Sequence, residues 1–483
     1  MNKIIRNILI VFKIAFKISL IIFICVCSYS FLNRIFYNRE VYDGRSFHSL
    51  PENSIDVIVL GSSHAQFSFI PHFFYEQTGL YAYVQATSCQ PMEVSYQMLK
   101  ESLKTQSPRV VILEVYTAMP LRIVCEADSS YVIAEYQMTG QEKINTINYL
   151  PKEKARQYYI DFLNYHNNWR YIESINDIVP KSNDYTYDDI DGSFGYIYQS
   201  APSEYPDNWW LPATFDRSED QKVQLDNLDL ESLNNIYELC KEKNIELILY
   251  KTPVDGIDIE NQSYLHEIWN WAEEKSVPYV DFIDKSKDLG FYMWIHSDSF
   301  HAYINGAGMI TSYLSEFVNE LGIDFNHKEN QALTDILKEY GQMYTCNYLK
   351  FEHDPLKYLS NITHSNGYIM FRYHPSSIKM NTELYEILSK ELLKTEFDQN
   401  MPFYALLKDG EILFSSTDPI EYDINGHHIY IDSAATKIDD QSYEFEGSAM
   451  SLLYTDYGFS YRIHKNIEYR GWTWDMDAPS YIR

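Results

Sequence analysis

Between residues 54 and 322, short continuous apolar runs alternate with longer stretches of helical periodicity. That alternation constrains the chain more than any other feature: it argues for a parallel, doubly wound sheet with helices packed on it. The runs are Ile55 to Leu60, Leu80 to Gln85, Arg109 to Glu114, Ile245 to Lys251 and Pro278 to Phe282. The first of them shows no apolar/polar alternation, which fits a strand covered on both faces rather than a half-wet one. Between them, Leu228 to Lys243 sets Leu233, Ile236, Tyr237 and Cys240 along one helical side, and Asn261 to Lys275 repeats the pattern. Residues 127–220 break the rhythm. They are rich in tyrosine, asparagine and aspartate, and are read as an inserted lid or substrate collar, since loops of that length are functional or disordered.

The first residues have a different character. Met1 to Tyr37 carries Lys3, Arg6, Lys13, Lys17 and Arg34 and no acidic side chain, around the apolar run Ile18 to Leu32. Counted from Ile8, with Lys13 and Lys17 snorkelling toward the headgroups, the stretch reaches the roughly 20 residues that a membrane span needs. No small-residue cleavage signal follows Leu32, so an uncleaved anchor over residues 1–38 is expected, with a cytoplasmic amino terminus and the bulk of the chain outside the membrane. The formal net charge is −29 although this leader is basic. Basic residues form no cluster after it, which argues against a nucleic-acid partner. Cys89, Cys125, Cys240 and Cys346 are scattered without zinc-like spacing.

Two stretches carry the chemistry. In "DVIVLGSSHAQFSFIP", Asp56 to Pro71, the first strand breaks into Gly61, Ser62, Ser63 and His64. Ligands of open α/β sheets bind at the carboxyl edge of the strands, where this turn falls. Two readings stand: a tight turn in which Ser62 or Ser63 caps the next helix, or a nucleophile. His64 is read as a surface or structural histidine. The second stretch is "HSDSFHAYINGAGMITSYL", His296 to Leu314, after the last strand. Asp298 stands three residues before His301, close enough for its carboxylate to hold one ring nitrogen and leave the other to accept a hydroxyl proton. His296, Asp298 and His301 also make a possible metal set, the rival reading of the same cluster.

Taken together, strand–Gly-Ser-Ser at the start, Asp-x-x-His after the last strand and alternating elements between them resemble the SGNH, or GDSL-type, hydrolase superfamily over Ile55 to Leu321. The variant Gly61-Ser62-Ser63 is similar to that of membrane-anchored D-alanyl-transfer-protein-like and cell-surface acyltransferase-like members. The resemblance implies a flavodoxin-like three-layer α/β/α domain over residues 45–325, with Ser63 as nucleophile, His301 as base and Asp298 as its orienting partner. The second family block looks like "VQATSCQPMEVSYQMLK", Val84 to Lys100, with Cys89 where a glycine donates its backbone N–H to the oxyanion. The implied oxyanion hole is thus the N–H groups of Ser63 and Cys89. The third block departs: "VVILEVYTAMP" lacks the asparagine that ordinary esterases of the family place there. Glu114 and Tyr116 stand at that strand end, as donors or substrate-binding groups, or with Glu114 buried against Lys251. The acyl-transfer relatives lack the asparagine too. In the insertion, Tyr196, Trp209 and Trp210 are read as rings that stack on sugars or as packing.

From residue 348 to 483 the chain reads as a smaller α+β unit after a linking helix, "LTDILKEYGQMYTCNYLKF". Short strands alternate with turn signals, Lys408-Asp409-Gly410 among them, and Asn381 to Lys394 has helical periodicity. The segments "GYIMFRY", "FYALLKDGEILF" and "ATKIDDQSY" before "AMSLLYTD" resemble the interleukin-like EMT-inducer domain, which implies carbohydrate or protein binding. The expectation for the whole is a serine-dependent acyl esterase or O-acyltransferase at the cell envelope. Its partners would be an acylated glycan or acyl donor, the membrane and envelope-biosynthesis proteins, and it would need no cofactor. The competing class is a catalytically silent binding or assembly protein of the same fold.

Overall fold

The computed structural model describes residues 3–36, 45–119, 138–149, 192–199, 223, 228–253, 259–285, 301–351, 355–375, 380, 382–444, 450–460, 462–470, 473–476 and 480–482. Helix α1 spans Lys3–Phe36. Within it Leu9–Leu32, of mean hydropathy 2.6, lies exposed and is long and apolar enough to cross a membrane. A single turn, α2 (Arg45–His48), precedes the sheet.

The next elements in order are β1 (Val57–Gly61), α3 (Ser63–Ser68), α4 (Pro71–Thr78), β2 (Ala82–Ala86), α5 (Met92–Ser102) and β3 (Val110–Glu114). After the described helix α6 (Gly140–Tyr149) come α7 (Leu230–Lys243), β4 (Glu246–Lys251), α8 (Ile259–Lys275), β5 (Tyr279–Asp281) and α9 (Ile304–Glu320). The five strands are all parallel, in the order β2-β1-β3-β4-β5. That order is the flavodoxin-like one, with its switch point between β1 and β3. Residues of one strand divide between two cores, as the pleat demands. Ile58, Leu60, Val111, Leu113, Leu247 and Leu249 face α5, α7 and α8, whereas Val57, Val59, Val110, Ile112 and Ile248 face α3, α4 and α9. Both faces are dry, which is why these strands read as unbroken apolar runs.

Register sets the edge where chemistry is possible. Gly61 pairs with Ala86, Glu114 with Tyr250 and Lys251 with Asp281, so the carboxyl ends of all five strands lie along one edge. Helix α9, entered from His301, packs on α3 and α4, and the Ile70 N–H donates to Thr311 Oγ1 at 2.9 Å.

Helices α10 (Gln331–Phe351) and α11 (Pro355–Thr363) lead into a second, antiparallel part. Its larger sheet contains β6 (Tyr368–Tyr373), β7 (Phe403–Lys408), β8 (Glu411–Ser416), β13 (Met450–Thr455), β14 (Arg462–Arg470), β15 (Thr473–Met476) and β16 (Ser480–Ile482). A four-stranded sheet of β9 (Ile420–Ile424), β10 (His427–Ile431), β11 (Ala435–Ile438) and β12 (Gln441–Glu444) covers one of its faces, with Tyr368, Met370 and Leu406 packed on Ile429, Ile431 and Ile438. On the other face Leu349, Leu359, Phe371 and Leu388 join Ile70, Phe73 and Ile304, so a single core bridges the two parts. The Lys408-Asp409-Gly410 turn closes the β7–β8 hairpin, with φ of 51° at Asp409 and 73° at Gly410. The helix expected over 381–394 runs from 382 to 392: α12 (Thr382–Glu386) passes directly into a π-helix, Ile387–Leu392.

Candidate active site

The nucleophile turn is built by two residues before the serine. Gly61 has φ +147°, and a Cβ there would fall 2.8 Å from Glu114 Cβ and 3.0 Å from Ala65 Cβ, so only glycine fits. Ser62 is the N-cap of α3, its Oγ accepting from the His64 N–H at 3.3 Å. Of the two capping candidates it is therefore Ser62 that caps. Ser63 is released to be the first helical residue, 7 % exposed, and its N–H belongs to the end of a helix where no intrahelical acceptor exists.

His301 comes to this turn from across more than two hundred residues. Its Nε2 lies 2.9 Å from Ser63 Oγ, within hydrogen-bond distance. The imidazole rests against Phe67, ring centroids 4.6 Å apart, and faces His64 at 5.6 Å. Phe67 is four residues beyond Ser63 on α3, which puts both on one helical side. Cys89 lies in the turn after β2, the neighbour of β1. Its φ is +50°, the left-handed conformation that glycine adopts without cost. Asp298, His296, Trp209 and Trp210 lie outside the described residues.

Beneath the serine is a group of buried polar side chains. Glu114 is fully buried at the end of β3 and pairs with fully buried Lys251 at 3.6 Å. Its Oε2 accepts from the Tyr116 N–H at 3.1 Å and lies 3.5 Å from Ser62 Oγ, and its Oε1 lies 3.5 Å from Thr252 Oγ1. Burial holds the Glu114 carboxyl above its usual range, with Lys251 opposing the shift. Lys251 Nζ also donates to the Thr252 carbonyl and stands 4.7 Å over the Tyr116 ring. Thr252 Oγ1 is 2.8 Å from His64 Nδ1, and the His64 ring lies against that of Tyr116, centroids 3.8 Å apart and planes tilted by 33°.

These contacts decide between the readings left open for Glu114, Tyr196 and His64, and set the substrate-facing reading of Tyr116 aside. Glu114, with no exposed surface, and Tyr116, 5 % exposed, sit inside the protein rather than on a substrate face, because an ion pair and an imidazole cover them. Tyr196 is 2 % exposed and packs edge-on against Tyr344 at 5.3 Å, so its ring is core and not a sugar platform. His64 is structural and buried, not at the surface. The sequence reading missed Phe67 and Thr252. The helical spacing from Ser63 pointed to the first, and the place of Thr252 just past β4, mirroring the serines past β1, pointed to the second. Among the described residues no group of three His, Cys, Asp or Glu side chains suits a metal ion. The arrangement can take a proton from a serine hydroxyl beside backbone N–H donors, the requirements of acyl transfer.

No protein-family model matches the chain. No curated protein matches it. Solved structures that align with it include one assigned as an acylhydrolase from Bacteroides fragilis NCTC 9343, at 13 % identity over 59 % of this chain and 97 % of that one, with a TM-score of 0.29. Another is a GDSL-like lipase from Bacteroides thetaiotaomicron VPI-5482, at 12 % identity over 59 % and 99 %, TM-score 0.29. A third, assigned as a lipolytic protein of the G-D-S-L family from Desulfitobacterium hafniense DCB-2, aligns at 12 % identity over 55 % and 99 %, TM-score 0.26. At these TM-scores the likeness carries no weight for activity or substrate.

Proposed function

We propose that this chain is a serine-dependent acyl hydrolase or O-acyltransferase, anchored in a membrane by α1 and acting on an acylated glycan of the cell envelope. One observation carries the reading: an imidazole nitrogen 2.9 Å from a serine oxygen, delivered by opposite ends of an α/β domain to the carboxyl edge of its sheet. In the proposed reaction Ser63 Oγ attacks the ester carbonyl carbon while its proton passes to His301 Nε2. The N–H groups of Ser63 and Cys89 receive the developing oxyanion. The carbonyl reforms, the ester C–O bond breaks, and His301 returns the proton to the departing alkoxide. A water or a sugar hydroxyl then repeats the sequence on the acyl-serine, giving hydrolysis or transfer. Asp298 is assigned the role of holding the other ring nitrogen of His301.

The silent-scaffold reading draws support from the end of β3, where a buried glutamate replaces a donor side chain. One assay separates the two: full-length protein in detergent is treated with a fluorophosphonate probe beside Ser63→Ala and His301→Ala. The catalytic reading expects labelling of the wild type, none of Ser63→Ala, and a rate at least 100-fold lower for His301→Ala. An unlabelled wild type favours the scaffold, and labelled Ser63→Ala overturns the nucleophile. Activity lost on chelation and restored by zinc or manganese would favour the metal reading of His296, Asp298 and His301.

A further inference from the structure

Glu114 is not needed to explain the fold. A buried ion pair is weak support for stability, since well-packed apolar side chains of similar volume serve as well or better. The pair with Lys251 is also long, at 3.6 Å. The other contacts of the carboxylate run to residues around the nucleophile: the Tyr116 N–H, Ser62 Oγ, and Thr252 Oγ1, which in turn meets His64 Nδ1. Its own Cβ fills the space that the missing side chain of Gly61 leaves. Glu114 thus meets Ser62 and Gly61 directly and His64 by way of Thr252, joining its own strand end to the ends of β1 and β4.

We propose that Glu114, held by Lys251, is a positioning residue for Ser63, fixing the Ser62-Ser63-His64 turn from beneath through Ser62, Gly61 and the Thr252–His64 contact. It stands at the strand end where an oxyanion donor is missing, and it acts by preorganising the turn, not by touching substrate. This inference rests on the catalytic reading above.

Two double variants isolate the polar contacts from the buried charge. Glu114→Gln with Lys251→Met keeps an acceptor of the same reach, whereas Glu114→Leu with Lys251→Met removes it, and neither buries a charge. The second-order rate of fluorophosphonate labelling, its pH profile and the melting temperature are measured for each. The expected result is a Gln/Met variant within about threefold of wild type and a Leu/Met variant at least tenfold slower, with both melting cooperatively as folded proteins and an unshifted pH profile, as for a misplaced nucleophile beside an intact base. Equal rates for the two would overturn the positioning role. Thr252→Val, nearly isosteric, is the third arm: it removes the hydroxyl through which Glu114 reaches His64, and leaves both charges of the Glu114–Lys251 pair in place. It is expected to slow labelling at least fivefold, and an unchanged rate overturns the proposal should either double variant fail to fold. A wild type that does not label at all defeats the catalytic reading instead, so the two failures are distinct.

Discussion

Replacing Gly61 by alanine tests the geometry of the nucleophile turn directly. The backbone there has φ +147°, a region costing a side-chain-bearing residue on the order of 1–3 kcal/mol. The new methyl group would also sit 2.8 Å from Glu114 Cβ, 3.0 Å from Ala65 Cβ and 3.2 Å from the Glu114 carbonyl oxygen. Two of those neighbours belong to strand β3 and one to helix α3, so relief requires the sheet edge to move, an overpacking cost of about 1–3 kcal/mol. Together the two effects amount to about 4 kcal/mol, equivalent to a fall of roughly 10 °C in melting temperature for a domain of this size. Gly79→Ala is the control, because Gly79 also has positive φ, +71°, but no atom lies within 4 Å of its Cβ position. It should cost only about 1–2 kcal/mol, the backbone share alone. Denaturant melts of both variants and of wild type give the comparison, and labelling of Ser63 reports the displaced turn. Gly61→Ala melting within 2 °C, on the order of experimental error, of Gly79→Ala would refute the packing argument.

Two further outcomes follow from the same structure. Burial pushes the Asp281 carboxyl up to about 6, against an ordinary 3.8, with the Ile283 N–H and Lys251 opposing. The folded state therefore holds a proton that the unfolded chain has lost between those pH values, and stability from this group falls as pH rises through that window. Asp281→Asn should gain up to about 3 kcal/mol on wild type between pH 4 and pH 7 in denaturant melts, and a flat difference would contradict the assignment. The 24-residue apolar stretch Leu9–Leu32 predicts that the chain pellets with membranes and resists alkaline extraction. Loss of that behaviour on deleting residues 1–38 is the expected result, and an alkaline-soluble full-length chain would contradict it.

How much of this could be read from the sequence depends on the range of the forces involved. The five strands were legible to within two residues, because burial on both faces writes a local and continuous signal. The meeting of Ser63 with His301 was legible from the turn after β1 and the segment between β5 and α9, since a parallel sheet brings the carboxyl ends of its strands to one edge. The Glu114–Lys251 pair stood among the alternatives the sequence left open, and the β3–β4 register, joining residues over a hundred positions apart, decides for it. Tyr196 was left open between a sugar-stacking ring and packing because composition cannot say which tyrosines of a tyrosine-rich chain are covered. The second sheet of the carboxyl-terminal part hid in strands such as β9, whose burial alternates around a single fully buried isoleucine. The π-helix after α12 keeps Leu388 and Leu392 buried, so apolar periodicity found the helix but could not tell its wider winding from an α-helix.

The central claim is that Ser63 and His301 form one reacting pair, and a crystal structure of the protein after treatment with a phosphonate ester tests it most directly. The account predicts a phosphorus atom bonded to Ser63 Oγ, its oxygen facing the N–H groups of Ser63 and Cys89, and His301 Nε2 within about 3 Å of the serine oxygen or the leaving-group site. An adduct on another residue, or His301 turned away from an adduct on Ser63, would contradict it.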